Sequence, residues 1–415
     1  MTAMSRKDTM PWVIIICGSL IAMITFGPRS AMGFFQLPML ADTGWSRETF
    51  GLAIAIQNLF WGLGQPFFGA MADRYGTAKV LVASAVLYAM GLTLMAFPVI
   101  VADPQSALFL HLGGGVLCGL AVAAGSFSVI LSAFARNVTP AQRSMAFGIA
   151  TAAGSAGMMV FAPLTVGLIA GLGWQGALIV MAGLMAIVPF LAFALRGNAA
   201  SGSQSALQFQ QTAGQALREA FGHRSYLLLT SGFFVCGFQV AFITAHFPAY
   251  LLDIGIEAWV GGVAMLLIGG FNIIGSLAAG YIGQHYSKPW FLALIYIGRS
   301  IAVTVFLLLP ITSVSVIIFS AVMGLLWLST VPPTNGLVAI MFGTRHLGLL
   351  GGIVFFSHQI GSFLGVWLGG YLYDHFGTYD PVWWIGVALG LFAAVVHIPI
   401  KETIVPGRPT LAPAE

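Results

Sequence analysis

Long apolar stretches separated by short polar or Pro/Gly-containing breaks recur along the whole chain. They fall at 11–35, 48–72, 79–99, 105–134, 142–168, 174–195, 225–252, 257–283, 289–310, 312–341, 346–374 and 380–399. Each can cross about 30 Å of hydrocarbon as an α-helix rising about 1.5 Å per residue. The pattern predicts an all-α membrane protein with twelve transmembrane helices. The longest polar segment, 197–224, is rich in Ser, Gln, Ala and Gly and falls midway. It is expected to be a cytoplasmic linker, with an amphipathic piece at 211–221, between a six-helix half at 1–196 and a second half with a short tail at 225–415.

Composition removes the soluble alternative. The 415 residues are 59% hydrophobic and 7% charged, whereas soluble domains carry about 25% charged residues. Arg6 and Lys7 precede an apolar run too long for a cleavable signal, so the first helix is expected to direct its own insertion. Cys17, Cys118 and Cys236 all fall in apolar runs, which points to packing rather than to a disulfide framework or a metal site.

The net charge of +4 becomes a topology signal once its residues are placed. With both termini cytoplasmic, Arg6, Lys7, Arg74, Lys79, Arg136, Arg143, Arg196, Arg218, Arg224, Lys288, Arg345, Lys401 and Arg408 share that side, and Arg47 lies outside. This is the positive-inside asymmetry. The expectation is a monomeric multi-pass membrane protein with both termini cytoplasmic, lipid around it, no nucleic-acid partner and no cofactor.

Two cations, Arg29 and Arg299, remain within spans. An arginine at the bilayer centre costs roughly 2.5–3.5 kcal/mol on insertion scales, so such a residue faces a cavity or a partner. Gly27 and Pro28 break the helix just before Arg29, which is tolerated where the freed backbone meets water or protein. Arg29 lies about 27 Å of helix rise from Pro11. It reads either as a structural arginine reaching toward the outer face or as the cation of a polar cavity. None of the 12 acidic residues falls deep in a span, which leaves an anionic substrate as its natural partner. Arg299, near the middle of the ninth span, reads as a structural donor to carbonyls or as a further substrate contact.

The halves look related. Gly69-Ala-Met-Ala-Asp73-Arg74-Tyr75-Gly76-Thr-Ala-Lys79, after the second span, recurs in degraded form as Gly280-Tyr-Ile-Gly-Gln284-His285-Tyr286-Ser287-Lys288 after the eighth. Pro38 and Pro248, and Asp42 and Asp253, keep that spacing within a residue. Parallel halves of this kind describe carriers that rock around a site at their interface.

The Gly69–Lys79 turn closely resembles the signature loop of the major facilitator superfamily, and the resemblance covers the whole chain. It implies two pseudo-symmetric six-helix bundles and secondary transport by alternating access. Phe26-Gly27-Pro28-Arg29-Ser30, then Gly33-Phe34-Phe35 and Gly44-Trp45-Ser46-Arg47, resemble the bacterial branch of the monocarboxylate transporter family, which implies a place in a bacterial cytoplasmic (inner) membrane. That resemblance implies a small organic anion, a monocarboxylate, moved by proton symport, with Arg29 standing where animal members carry a functional lysine. Aligned on Gly280, the animal family's helix-eight aspartate and arginine correspond to Asn272 and Ser276. The usual proton-coupling carboxylate is therefore missing, and uniport or anion exchange stays open. In the superfamily the ninth helix is peripheral, which favours the structural reading of Arg299.

Arg29, Gln57, Asn58, Gln239, Phe242, His246, Asn272, Ser329, Thr330 and His358 are the substrate-binding candidates, with interhelical hydrogen bonding or packing as the alternative for each uncharged residue. His246 and His358 are the proton-coupling candidates, because only they, on cavity-forming helices, can change charge near neutral pH. A neutral histidine bonded in a helix interface is the alternative. Gly69, Asp73, Arg74, Gly76 and Lys79 read as a gating loop that holds helix ends in one state. The chain shows no Walker motif, catalytic triad or metal cluster, so an enzyme or a primary pump lacks support. A drug exporter would be expected to carry a buried carboxylate, and a non-transporting sensor a sizeable soluble domain.

Overall fold

The computed structural model describes residues 11–97, 107–196, 212–343 and 346–404. Ten helical stretches among them are long and apolar enough to cross a membrane. One of these, Gly148–Leu195, contains two spans. The helix Pro140–Leu184 leaves helical geometry at Gly173, whose φ is +70°, a conformation that costs glycine little and other residues more. The helix Arg47–Tyr75 is also long enough at 29 residues. Its charged and amide side chains keep it below the hydropathy of the rest.

The twelve helical segments are α1 (Trp12–Thr43), α2 (Arg47–Tyr75), α3 (Thr77–Ala96), α4 (Leu108–Phe134), α5 (140–172), α6 (174–195), α7 (Arg224–Asp253), α8 (Ala258–His285), α9 (Lys288–Leu308), α10 (Ser313–Phe342), α11 (Leu347–Phe376) and α12 (Asp380–His397). Three differ from the hydrophobic pattern: α4 is broken at Gly125 and Ser126, between Ala124 and Phe127, where Ser126 is extended, and α1 and α10 also depart from it. α1, expected to end at 35, leaves helical geometry at Ala31, makes a tight turn at Met32–Phe35 and continues to Thr43, where Gly44 stops it at φ +72°. α10 is interrupted between Leu326 and Val331. It restarts with Pro332 and Pro333 in its first turn, where a missing N–H costs nothing.

Between the halves, Ala213–Gly222 forms a short helix whose N-terminus is closed by a reciprocal Thr212–Gln215 capping box and whose buried positions are Ala216 and Ala220. Residues 197–211 of the expected linker, and the basic residues Arg6, Lys7, Arg345 and Arg408, lie outside the described residues.

Two apolar cores result. One is built almost wholly from α1–α6 and the other from α7–α12. Across the interface α1 faces α7, α2 packs along α11, and α5 packs along α8. Small residues permit this approach. A Cβ on Gly33 of α1 would lie 2.6 Å from the carbonyl oxygen of Thr244 on α7, and one on Gly370 of α11 would lie 2.3 Å from the carbonyl oxygen of Arg47 on α2.

Candidate functional site

Pro28 lies inside the last turn of the first helical part of α1, next to Arg29, whose side chain reaches α2. Arg29 Nη2 donates to Asn58 Oδ1 at 2.8 Å, and Asn58 Nδ2 in turn donates to the carbonyl of Ile54 at 2.8 Å. The guanidinium carbon lies 4.5 Å from the centre of the Trp61 ring, a cation–π contact, and no carboxylate pairs with it among the described residues. Arg29 Nε, Gln57 Oε1 and Trp61 Nε1 are buried without a hydrogen-bond partner among the described residues. Arg29 and Gln57, with Asn58, line one side of a cleft between the halves whose other side is Ala241, Thr244 and Ala245 and whose volume is about 10 Å³. That is about the lower limit for a single water molecule, so the cleft is closed to any organic solute in this state.

Rings close one end of the cleft. Trp61 meets Phe26 edge-on at 5.8 Å and Phe355 of α11 at 5.1 Å, and Phe26 stacks on Phe127 at 4.4 Å. Phe355 stacks on His358 at 5.8 Å. The continuous ring contact thus runs from Arg29 through Trp61 and Phe355 to His358, crossing from one half to the other.

Polar contacts close the other end. At the N-terminus of α2, Arg47 makes a two-pronged ion pair with Asp253 of α7, both bonds 2.7 Å, and donates to Tyr379 Oη at 2.9 Å. Asp374 of α11 accepts from the backbone N–H of Arg47 at 3.2 Å and of Glu48 at 2.7 Å. It caps the first turn of α2 from the opposite half, where the helix dipole favours a carboxylate. Trp367 Nε1 donates to Glu48 Oε1 at 3.1 Å.

The structure separates the candidates read from sequence. Arg29, Gln57 and Asn58 come together, although Gln57 also spends its Nε2 on the carbonyl of Gly114 at 2.9 Å. His246 is fully buried toward the Arg47 end, where Nε2 donates to the Val366 carbonyl at 2.8 Å and Nδ1 accepts from Gln36 Nε2 or Tyr379 Oη, each at 3.2 Å. Gln239 and Phe242 line a space within the second half, with Gln239 Nε2 bonded to the Gly386 carbonyl at 2.8 Å. Asn272 donates to Ser155 of α5 at 2.8 Å and accepts from Leu328 N at 3.0 Å. Ser329 and Thr330 sit in the break of α10, the former bonded to the Leu325 carbonyl and the latter to Cys236 Sγ at 3.3 Å. His358 Nδ1 is 3.4 Å from Ser362 Oγ.

Arg299 is fully buried and directed at the same break: its Nε donates to the Leu326 carbonyl at 3.1 Å, its Nη2 to the carbonyls of Leu326 and Trp327, and its Nη1 to Gln239 Oε1 at 3.3 Å. In the loop after α2, Gly76 adopts φ +93° and joins α2 to α3, while Asp73, Arg74 and Lys79 are exposed. The loop lies a full helix length from Arg47. Trp61 was not among the sequence candidates, since nothing in its local pattern distinguishes it from a packing aromatic.

Comparison with known proteins gives the class. Residues 15–366 match the Major Facilitator Superfamily, and the chain belongs to that family. It is similar to an uncharacterized MFS-type transporter, YcxA, of Bacillus subtilis, 26% identical over 411 residues covering 96% of this chain and 97% of that one. Monocarboxylate transporter 13 of Rattus norvegicus is 22% identical over 94% of this chain and 89% of its own. A hexuronate transporter of B. subtilis is 22% identical over 99% of both chains. The fold is similar to the crystal structure of a D-xylose-proton symporter, with a TM-score of 0.73, 13% identity, and coverage of 96% of this chain and 98% of the other. The protein is a multi-pass membrane transporter of a small molecule, of the secondary type, and not an enzyme.

Proposed function

We propose that the protein moves a small organic anion, a monocarboxylate, by alternating access around the Arg29 cleft. One observation carries this reading. A permanent cation sits between the two halves at membrane depth, held among the described residues by an amide and an indole ring, with Nε unpartnered there. A carboxylate fits the free edge of a guanidinium in a charge-assisted pair. The relatives named for monocarboxylates and for a hexuronate, both carboxylate classes, agree with it. Uptake and binding of small carboxylates by the wild type and by Arg29→Gln provide the test: loss of both with folding intact supports the reading, and unchanged transport sinks it.

In this proposal residues 1–196 and 225–415 rock as units within a single copy of the chain. The α2–α3 turn faces the cytoplasm, both termini lie on that side of a bacterial inner membrane, and the Arg47 end is the closed outer gate. Coupling is to protons, and His358 is the better carrier of the two histidines. His358 is linked by rings to Trp61 beside Arg29, whereas both nitrogens of His246 have partners that suit the neutral form. Substituting His358 and following accumulation against an imposed pH gradient tests the assignment.

A further inference from the structure

Gln359 of α11 is fully buried, and neither its Oε1 nor its Nε2 has a hydrogen-bond partner among the described residues. Leaving buried donors and acceptors unmade is costly, and an apolar side chain of the same shape would avoid the cost. The side chain leans on the opposite half: a Cβ on Gly62 of α2 would lie 3.0 Å from both Cβ and Cγ of Gln359. Gly62 and Asn58 are four residues apart and share one stripe of α2, separated by about 6 Å along its axis. Asn58 on that stripe already holds Arg29. The two halves therefore bring a cation and the stem of a side chain with an unsatisfied amide to the same face of α2, one turn apart, with the unpartnered indole N–H of Trp61 on the next turn.

We infer that Gln359 is a specificity-determining, substrate-binding residue contributed by the second half. Its amide takes a hydroxyl group of the molecule whose carboxylate Arg29 holds. The chemistry of the orphan pair selects the ligand group. A free amide offers both a donor and an acceptor, and a hydroxyl answers both, whereas an alkyl chain answers neither and an ionised carboxylate accepts only. The separation of one turn suits an acid of a few carbons. The inference rests on the organic-anion reading of the Arg29 cleft and adds to it a preference for hydroxylated acids over plain alkanoates.

The test uses purified full-length protein and thermal-shift or calorimetric binding of matched acids, propionate against lactate and butyrate against 3-hydroxybutyrate. The wild type is expected to bind each hydroxy acid about tenfold or more tighter than its parent, the value of one to two well-made hydrogen bonds. Gln359→Met, and Gln359→Leu as a second apolar replacement, should shrink that ratio to within about threefold while the ligand-free melting temperature holds or rises. A variant that keeps the hydroxyl preference overturns the inference, as does one that loses it only together with a lowered ligand-free melting temperature. If hydroxy acids and alkanoates bind the wild type equally and Arg29→Gln abolishes both, the Gln359 assignment falls and the anion reading stands. If no acid of either kind binds the wild type, both fall.

Discussion

Arg47 and Asp253, 206 residues apart in sequence, meet through two hydrogen bonds of 2.7 Å and tie the two halves together at one end of the interface. The Arg47 side chain is largely buried there, so the pair is not a surface ion pair of negligible worth. Replacing Asp253 with Asn should weaken this closed end by about 2 kcal/mol, enough to move a two-state population by roughly thirtyfold. Distance measurements between spin labels at exposed Gly44 and Glu257, one on each half, should broaden toward longer separations. An unchanged distribution would show that the pair does not hold the gate.

The same end of the molecule shows what the hydrophobic pattern revealed and what it could not. The spans, the paired halves and the intramembrane cation could all be read from runs of apolar residues and from two copies of one turn. Arg47 read only as the single basic residue on the outer side, because its partners Asp253, Asp374 and Tyr379 all come from the other half and no local spacing announces them. The extra turns of α1 beyond Phe35 were missed because Gln36, Pro38 and Asp42 look like a loop. Asp42 is instead satisfied by Trp174 Nε1 at 2.6 Å. Of the polar candidates, Arg29, Gln57 and Asn58 share the cleft, whereas Gln239, Asn272 and Ser329 are engaged in interhelical or local bonds. Residue type alone cannot separate those two uses of an amide or hydroxyl.

The two histidines should behave differently. His358→Gln is expected to lose accumulation driven by an imposed pH gradient yet retain counterflow, since exchange needs substrate on both sides and no net proton movement. His246→Gln should keep the pH dependence and lower the melting temperature, because it disturbs bonds to Val366, Gln36 and Tyr379. Proton-coupled accumulation that survives in His358→Gln and fails in His246→Gln would reverse the assignment.

Arg299 should prove structural. Arg299→Met removes the donors that satisfy the carbonyls of Leu326 and Trp327 at the break in α10, and buried acceptors left unmade cost about 1–3 kcal/mol each. The expected result is a melting temperature several degrees lower, with substrate affinity of the remaining folded protein unchanged. A variant of wild-type stability that cannot bind substrate would place Arg299 in the site instead.

Trp61 should close the Arg29 cleft through its ring contacts with Phe26 and Phe355. Trp61→Ala removes both and is expected to let small hydrophilic thiol reagents reach a cysteine placed at Met32, which lines the cleft. Trp61→Phe keeps an aromatic surface and should protect that cysteine. Equal labelling in the two backgrounds would show that the cleft is sealed elsewhere.

Equilibrium binding asks whether Arg29 holds the carboxylate of the transported molecule. Titration of purified wild type, Arg29→Lys and Arg29→Gln with a panel of small carboxylates, beside amide analogues of the same acids, isolates the charge. Saturable binding of at least one carboxylate to the wild type, and none of its amide, is expected. Binding should be weakened in Arg29→Lys, which keeps the charge without the forked geometry, and lost in Arg29→Gln at an unchanged melting temperature. Undiminished carboxylate binding by folded Arg29→Gln would contradict that role for Arg29.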